Sequence, residues 1–161
     1  MAFVGVRSQK WPRPRCTSAW ALPELVEAAA RTDRLQLAAD TVDRFVVATQ
    51  ANRTDWALGI EARSRALVQE GDPAPDLYRE AVDRLSRTRL RPELARAHLL
   101  YGEWLRRQKR RIDARDQLRT PHDMFTEIGR LAFAERAVHE LRTTGETVRK
   151  RQDATRDDLT P

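Results

Sequence analysis

Covalent or metal chemistry in this chain would have to start from three histidines (His98, His122, His139), one cysteine (Cys16) and 24 carboxylates. Their spacing assembles no reaction centre. No histidine combines a partner at i,i+4 on one helix with a second ligand, the pattern a bound metal wants, so no metal site is expected. His98 falls on an apolar helix face and reads as a packing residue. Cys16 has no histidine near it in sequence to activate it as a nucleophile. Glu61, Asp76, Glu80, Asp83 and Glu93 lie on polar helix faces beside arginines. Glu80 and Arg84 are an i,i+4 pair, worth a few tenths of a kcal/mol at most. No two acids stand out as a general acid and base. No catalytic residue, no cofactor and no enzymatic activity are therefore expected.

Binding chemistry has two candidates. The first is the run "RRQKRRIDARDQLR", with Arg106, Arg107, Lys109, Arg110, Arg111, Arg115 and Arg119, partly offset by Asp113 and Asp116. Arg106, Arg107, Lys109, Arg110 and Arg111 could meet phosphate or an acidic partner. The same residues read as a solvated helix-to-helix turn, with cations favouring the C-terminal end of the first helix. No aromatic side chains interleave with them as a stacking platform, which favours the turn. The second candidate is the aromatic set Trp56, Tyr78, Tyr101 and Trp104. At helical spacing these are core residues first. In a stacked helical array they could instead line a concave recognition face.

These side chains must be positioned by helices. The chain of 161 residues is 40% apolar and 34% charged, with only six glycines. That mixture suits thin helical layers with much solvated surface. The net charge of +6 and pI near 10.3 come mostly from arginine. One cysteine rules out an internal disulfide and fits a cytoplasmic setting. No apolar run approaches a membrane span, and the first residues lack the apolar core of a secretory signal.

Residues 1–19 have no period and read as an irregular leader; from 20 to 145 apolar residues recur at helical spacing. Leu35, Ala38, Ala39, Val42, Phe45 and Val46 mark one amphipathic face; Ile112, Ala114 and Leu118 mark another. Thr54 or Asp55 is placed to cap a helix that Gly71 ends, and Gly145 to end the last one. Seven helices and no strand are expected. Pro121 should break or kink its helix between 118 and 121, because proline inside a helix costs about 3 kcal/mol. Residues 146–161 are polar and read as a linker.

Small residues recur at Ala38, Ala74 and Ala114, spacings of 36 and 40 residues. Around them sits a tetratricopeptide-type pattern. Tyr101-Gly102-x-x-Leu105 is followed by Ala114 and Leu118, with Pro121 where alanine is expected. Ala62, Ala74, Tyr78 and Ala81 repeat the offsets, and Ala38, Val42 and Phe45 repeat part of them. The reading is an all-α, tetratricopeptide-like array of about three helical hairpins, with residues 131–144 as a closing helix. A plain alanine-rich bundle is the alternative.

The strings "WALPELVEAAARTDRLQLAADTVDRF", "TDWALGIEARSRAL", "LYREAVDRLSRTRLRPELARAHLLYGEWLRRQKRRIDARDQLRT" and "FAERAVHELRTTGETVRKR" resemble the helical-repeat region of large actinobacterial LuxR-family, MalT-type, ATP-dependent transcriptional regulators. The resemblance covers residues 20–161 and is most specific over 89–151. In that family a nucleotide-binding module precedes the repeats and a helix-turn-helix domain follows. This sequence has no G-x-x-x-x-G-K-[ST] and no helix-turn-helix after "DLTP" at 158–161. The linker therefore ends where a helix-turn-helix would begin, and neither ATPase activity nor direct DNA reading carries over. The resemblance implies a signal-sensing or protein-interaction module, truncated or stand-alone, taking a protein or small-molecule effector on its concave face. A helical nucleic-acid binder using the basic 106–119 stripe, or a non-functional gene remnant, are the alternatives.

Overall fold

The computed structural model describes residues 21–69, 71 and 73–146. The leader with Cys16, and the linker from 147 to 161 with its "DLTP", lie outside the described residues. Within them the chain forms seven α-helices and no strand. These are α1 (Leu22–Arg31), α2 (Leu35–Asn52), α3 (Asp55–Val68), α4 (Pro73–Ser86), α5 (Arg91–Arg107), α6 (Arg111–Glu127) and α7 (Leu131–Thr143).

Local chemistry explains where the helices begin and end. Proline occupies the first turn of α1 and of α5, where a missing N–H costs nothing. The Thr54 hydroxyl caps α3 by accepting from the Ala57 amide. Five of the six connections between helices pass through a left-handed residue: Asp33, Arg53, Gly71, Lys109 and Gly129 all have positive φ. A left-handed residue past a helix end satisfies the last carbonyls and reverses direction. Gly71 lies beyond the Gln69 cap of α3 rather than directly at its end.

Helices pack mainly on their neighbours in sequence, most extensively α5 on α6 and α3 on α4. α1 packs on α2 and α3, and α7 on α6. Two glycines set the closest approaches. A Cβ at Gly102 would stand 2.5 Å from Leu118, and one at Gly59 would stand 2.8 Å from Leu85. The small residues singled out by spacing, Ala38, Ala74 and Ala114, are all fully buried.

The main apolar cluster joins α3 to α7 through Tyr78, Leu99, Leu105, Leu118, Phe125 and Leu141. A second, with Leu22, Phe45, Ile60 and Leu85, lies under α1 to α5. A third, with Val26, Ala29, Ala38 and Val42, joins α1 to α2.

Two expectations need correction. Pro121 does not break its helix: α6 runs continuously from Arg111 to Glu127 with the proline inside it. Pro121 is itself fully buried, so tertiary packing of its ring offsets the missing backbone bond. The apolar faces are also less uniform than the period suggests. Ile112 is 74% exposed and Leu35 48% exposed. Both sit in the first turn of their helix, where the stripe has not yet reached the core.

Candidate functional site

The four aromatic candidates divide. Tyr78 on α4 and Tyr101 and Trp104 on α5 form one cluster, with Tyr78 and Tyr101 stacked at 5.3 Å and Trp104 about 6 Å from each. Both tyrosines are buried and Trp104 half-buried, so this trio is mainly core. The Tyr78 hydroxyl is buried without a hydrogen-bond partner. Burial pushes its pKa well up; Arg107 opposes that, and Glu103 and Glu27 add to it.

Trp56, on α3, stands apart. It lines a recess of about 230 Å³ between α1, α2, α3 and the start of α5. Pro23, Phe45, Ala57 and Ile60 give the recess an apolar base, and Glu24, Glu93, Arg63 and Asn52 give it a polar rim. Arg63 is nearly fully buried and donates to the Glu93 carboxylate at 2.7 Å and to the Glu93 carbonyl oxygen at 3.3 Å. The arrangement can accept a small apolar group and orient a polar one beside it.

Next to the recess the structure assembles a cluster of charges from α1, α5 and α7. Glu27 and Glu103 are each only 5% exposed. Arg136, on α7, reaches both: it donates to Glu27 at 2.8 Å and grips Glu103 with two bonds of 2.6 and 2.9 Å. Arg31 joins the same two acids, at 3.3 Å from Glu27 and 2.9 Å from Glu103. Arg96, on α5, donates to Glu27 at 2.8 Å, pairs with Glu24 on the recess rim, and lies 5.5 Å over the Phe133 ring. Three guanidinium groups thus enclose two buried carboxylates, and buried acids are tolerable only when bonded in this way. Burial nonetheless pushes the Glu103 carboxyl up to about 7; Arg31 and Arg107 pull it down, and Glu140 and Glu27 push it further up.

The basic run is dispersed. Arg106 pairs with Glu140, Arg110 with Asp113, and Arg119 with Asp116 and Glu146. Arg115 donates to the Thr144 carbonyl at 2.5 Å. Among the described residues Arg107, Lys109 and Arg111 make no side-chain hydrogen bond or ion pair, and they flank the turn at Lys109. Five side chains weighed as one phosphate-contacting patch are therefore partly spent within the fold.

His98 is half-buried against Gln117, with Nδ1 at 2.8 Å from its amide oxygen, and burial lowers its pKa. Among the described residues no group of three His, Cys, Asp or Glu is placed to hold a metal ion, and no helix is long and apolar enough to cross a membrane.

Sequence reasoning missed Glu27, Glu103, Arg31, Arg96 and Arg136. A signal existed for one of them: Glu103 interrupts the apolar run "LLYGEWL" between Tyr101 and Leu105. A carboxylate in such a run is either misplaced or paired, and its partners lie 33 and 72 residues away. No family model, curated protein or solved structure matches the chain.

Proposed function

We propose that the chain is a binding module without catalytic activity: a tetratricopeptide-like helical array, of the kind found in LuxR-family, MalT-type regulators, that engages a protein or small-molecule effector. The observation that carries this reading is the recess at Trp56. There an apolar recess meets Glu24, Glu93 and Arg63 on its rim. The burial of Ala38, Ala74 and Ala114, at spacings of 36 and 40 residues, supports the repeat reading. Because Tyr78 and Tyr101 are core, the effector meets Trp56 rather than the whole aromatic set.

The reading is tested by a thermal-shift screen of small aromatic and amine-bearing compounds against the full chain and its Trp56→Ala variant. A compound that raises the melting temperature of the first and not the second supports the module. The nucleic-acid alternative predicts salt-dependent retention of a DNA duplex, lost when Arg107, Lys109 and Arg111 become serine. Such retention, together with no Trp56-dependent ligand, would overturn the proposal.

A further inference from the structure

The apolar packing of this fold is a chain of neighbours, and the charges are not. α1 packs on α2 and α3, and α7 on α6. No apolar cluster among the described residues contains side chains of both α1 and α7. Yet Arg136 of α7 and Glu27 of α1, 109 residues apart, are bonded at 2.8 Å. Arg31 of α1 and Arg136 of α7 meet again on Glu103 of α5. The first and last helices of the described residues are joined by guanidinium–carboxylate contacts.

We propose that this cluster is a releasable clasp, which ties α1 to α7 when its ion pairs are made and lets the two part when Arg136 is drawn off.

Three considerations point beyond simple stabilisation. A buried ion network is weak evidence for stability, since apolar residues of the same volume often serve as well; its better-attested use is to specify one arrangement against another. Both helices keep their own apolar anchorage when the cluster opens, α7 through Ala134, Ala137 and Leu141 and α1 through Val26 and Ala29. Opening therefore changes the distance between the ends without unfolding either. Finally, the clasp is reachable. The Arg31 and Arg136 side chains keep 47% and 23% of their surface exposed, so an anionic group of a partner can compete for them, while the acids they leave stay covered. Arg96 also pairs with Glu24 on the rim of the Trp56 recess, so one ion pair links the two sites. The clasp does not depend on what that recess binds.

The test measures the distance between the ends directly. In the full chain, with Cys16→Ser, spin labels are attached through Ala28→Cys on α1 and Ala132→Cys on α7, both exposed positions. The parent protein is expected to give one narrow distance. Arg136→Gln is expected to shift the mean outward by several ångström or add a longer population, with helix content unchanged by circular dichroism. Glu27→Gln should do the same. Arg136→Gln is the milder change, since Glu27 keeps Arg31 and Arg96 and Glu103 keeps Arg31, and it carries the test if Glu27→Gln does not fold. Asp83→Asn, which removes an exposed pair with Arg87 outside the clasp, should leave the distance unmoved. An unchanged narrow distance in folded Arg136→Gln overturns the proposal.

Discussion

The α5–α6 hairpin and the α1–α5–α7 cluster share one helix and are built on opposite physics. On its α6 side, α5 meets Leu118 across Gly102 with no room for a Cβ, and its Leu99 and Leu105 share one apolar cluster with Leu118 and Phe125. Toward α1 and α7 it offers Arg96 and Glu103 to partners far away in sequence. The first side is held by volume and dry contact, so nearly any loss there is felt. The second is held by charges whose attraction is largely offset by desolvation, so its net contribution is small and its arrangement can change. One helix thus separates a rigid half of the molecule from an adjustable seam.

The largest effect should come from the dry side. Phe125→Ala is expected to cost about 3–5 kcal/mol, read by chemical denaturation, because it removes a fully buried ring and leaves a cavity. A loss below about 1 kcal/mol would mean the two sides do not differ as described.

The seam should announce itself through pH. The Glu103 carboxyl is raised from an ordinary 4.5 to about 7 when folded, chiefly by burial. Between those values the folded chain holds a proton that the unfolded chain has released. This stabilising contribution is complete below pH 4.5 and is lost as pH rises toward 7, by at most about 3 kcal/mol. Glu103→Gln should flatten that slope in denaturation curves taken between pH 4.5 and 7.5. A slope of equal size in the variant would remove Glu103 from the account.

How much of this was legible in the sequence follows the same division. Apolar period and glycine scarcity are local signals, and they yield seven helices because a helix buries one stripe wherever it lies. Ala38, Ala74 and Ala114 were readable for the same reason. The break expected at Pro121 is absent because the local rule assigns a cost to proline in a helix, while the burial that offsets it is tertiary. Ile112 and Leu35 were misread because a period does not say where the core ends. The recess was half-legible: Trp56 stood out as a large aromatic, but its companions Pro23, Phe45 and Ile60 come from three helices. The clasp was illegible apart from Glu103, because Glu27, Arg96 and Arg136 each look like ordinary polar-face residues until the fold brings them together.

A smaller effect sharpens the rigid half. Gly102→Ala is expected to destabilise by about 1–3 kcal/mol, since the new methyl meets Leu118 and the Ala114 carbonyl oxygen at 3.3 Å. A neutral result would show that Leu118 yields and that the hairpin is looser than its geometry implies.

The smallest effect has the opposite sign. Lys109 holds φ at +62° in the α5–α6 turn, a conformation that glycine adopts without strain. Lys109→Gly should therefore raise stability by up to about 1 kcal/mol. Destabilisation by the same amount would point to a structural role for the lysine side chain at that turn.

The contrast between the two sides is tested most directly by hydrogen exchange on the full chain, comparing the parent with Arg136→Gln. Amides open by local or global routes, and the pattern of protection separates them. Faster exchange is expected in α1 and α7 alone, with α3, α4 and the α5–α6 hairpin unchanged. A uniform rise in exchange across all seven helices would contradict it, because the cluster would then be part of a single cooperative core rather than a seam beside one.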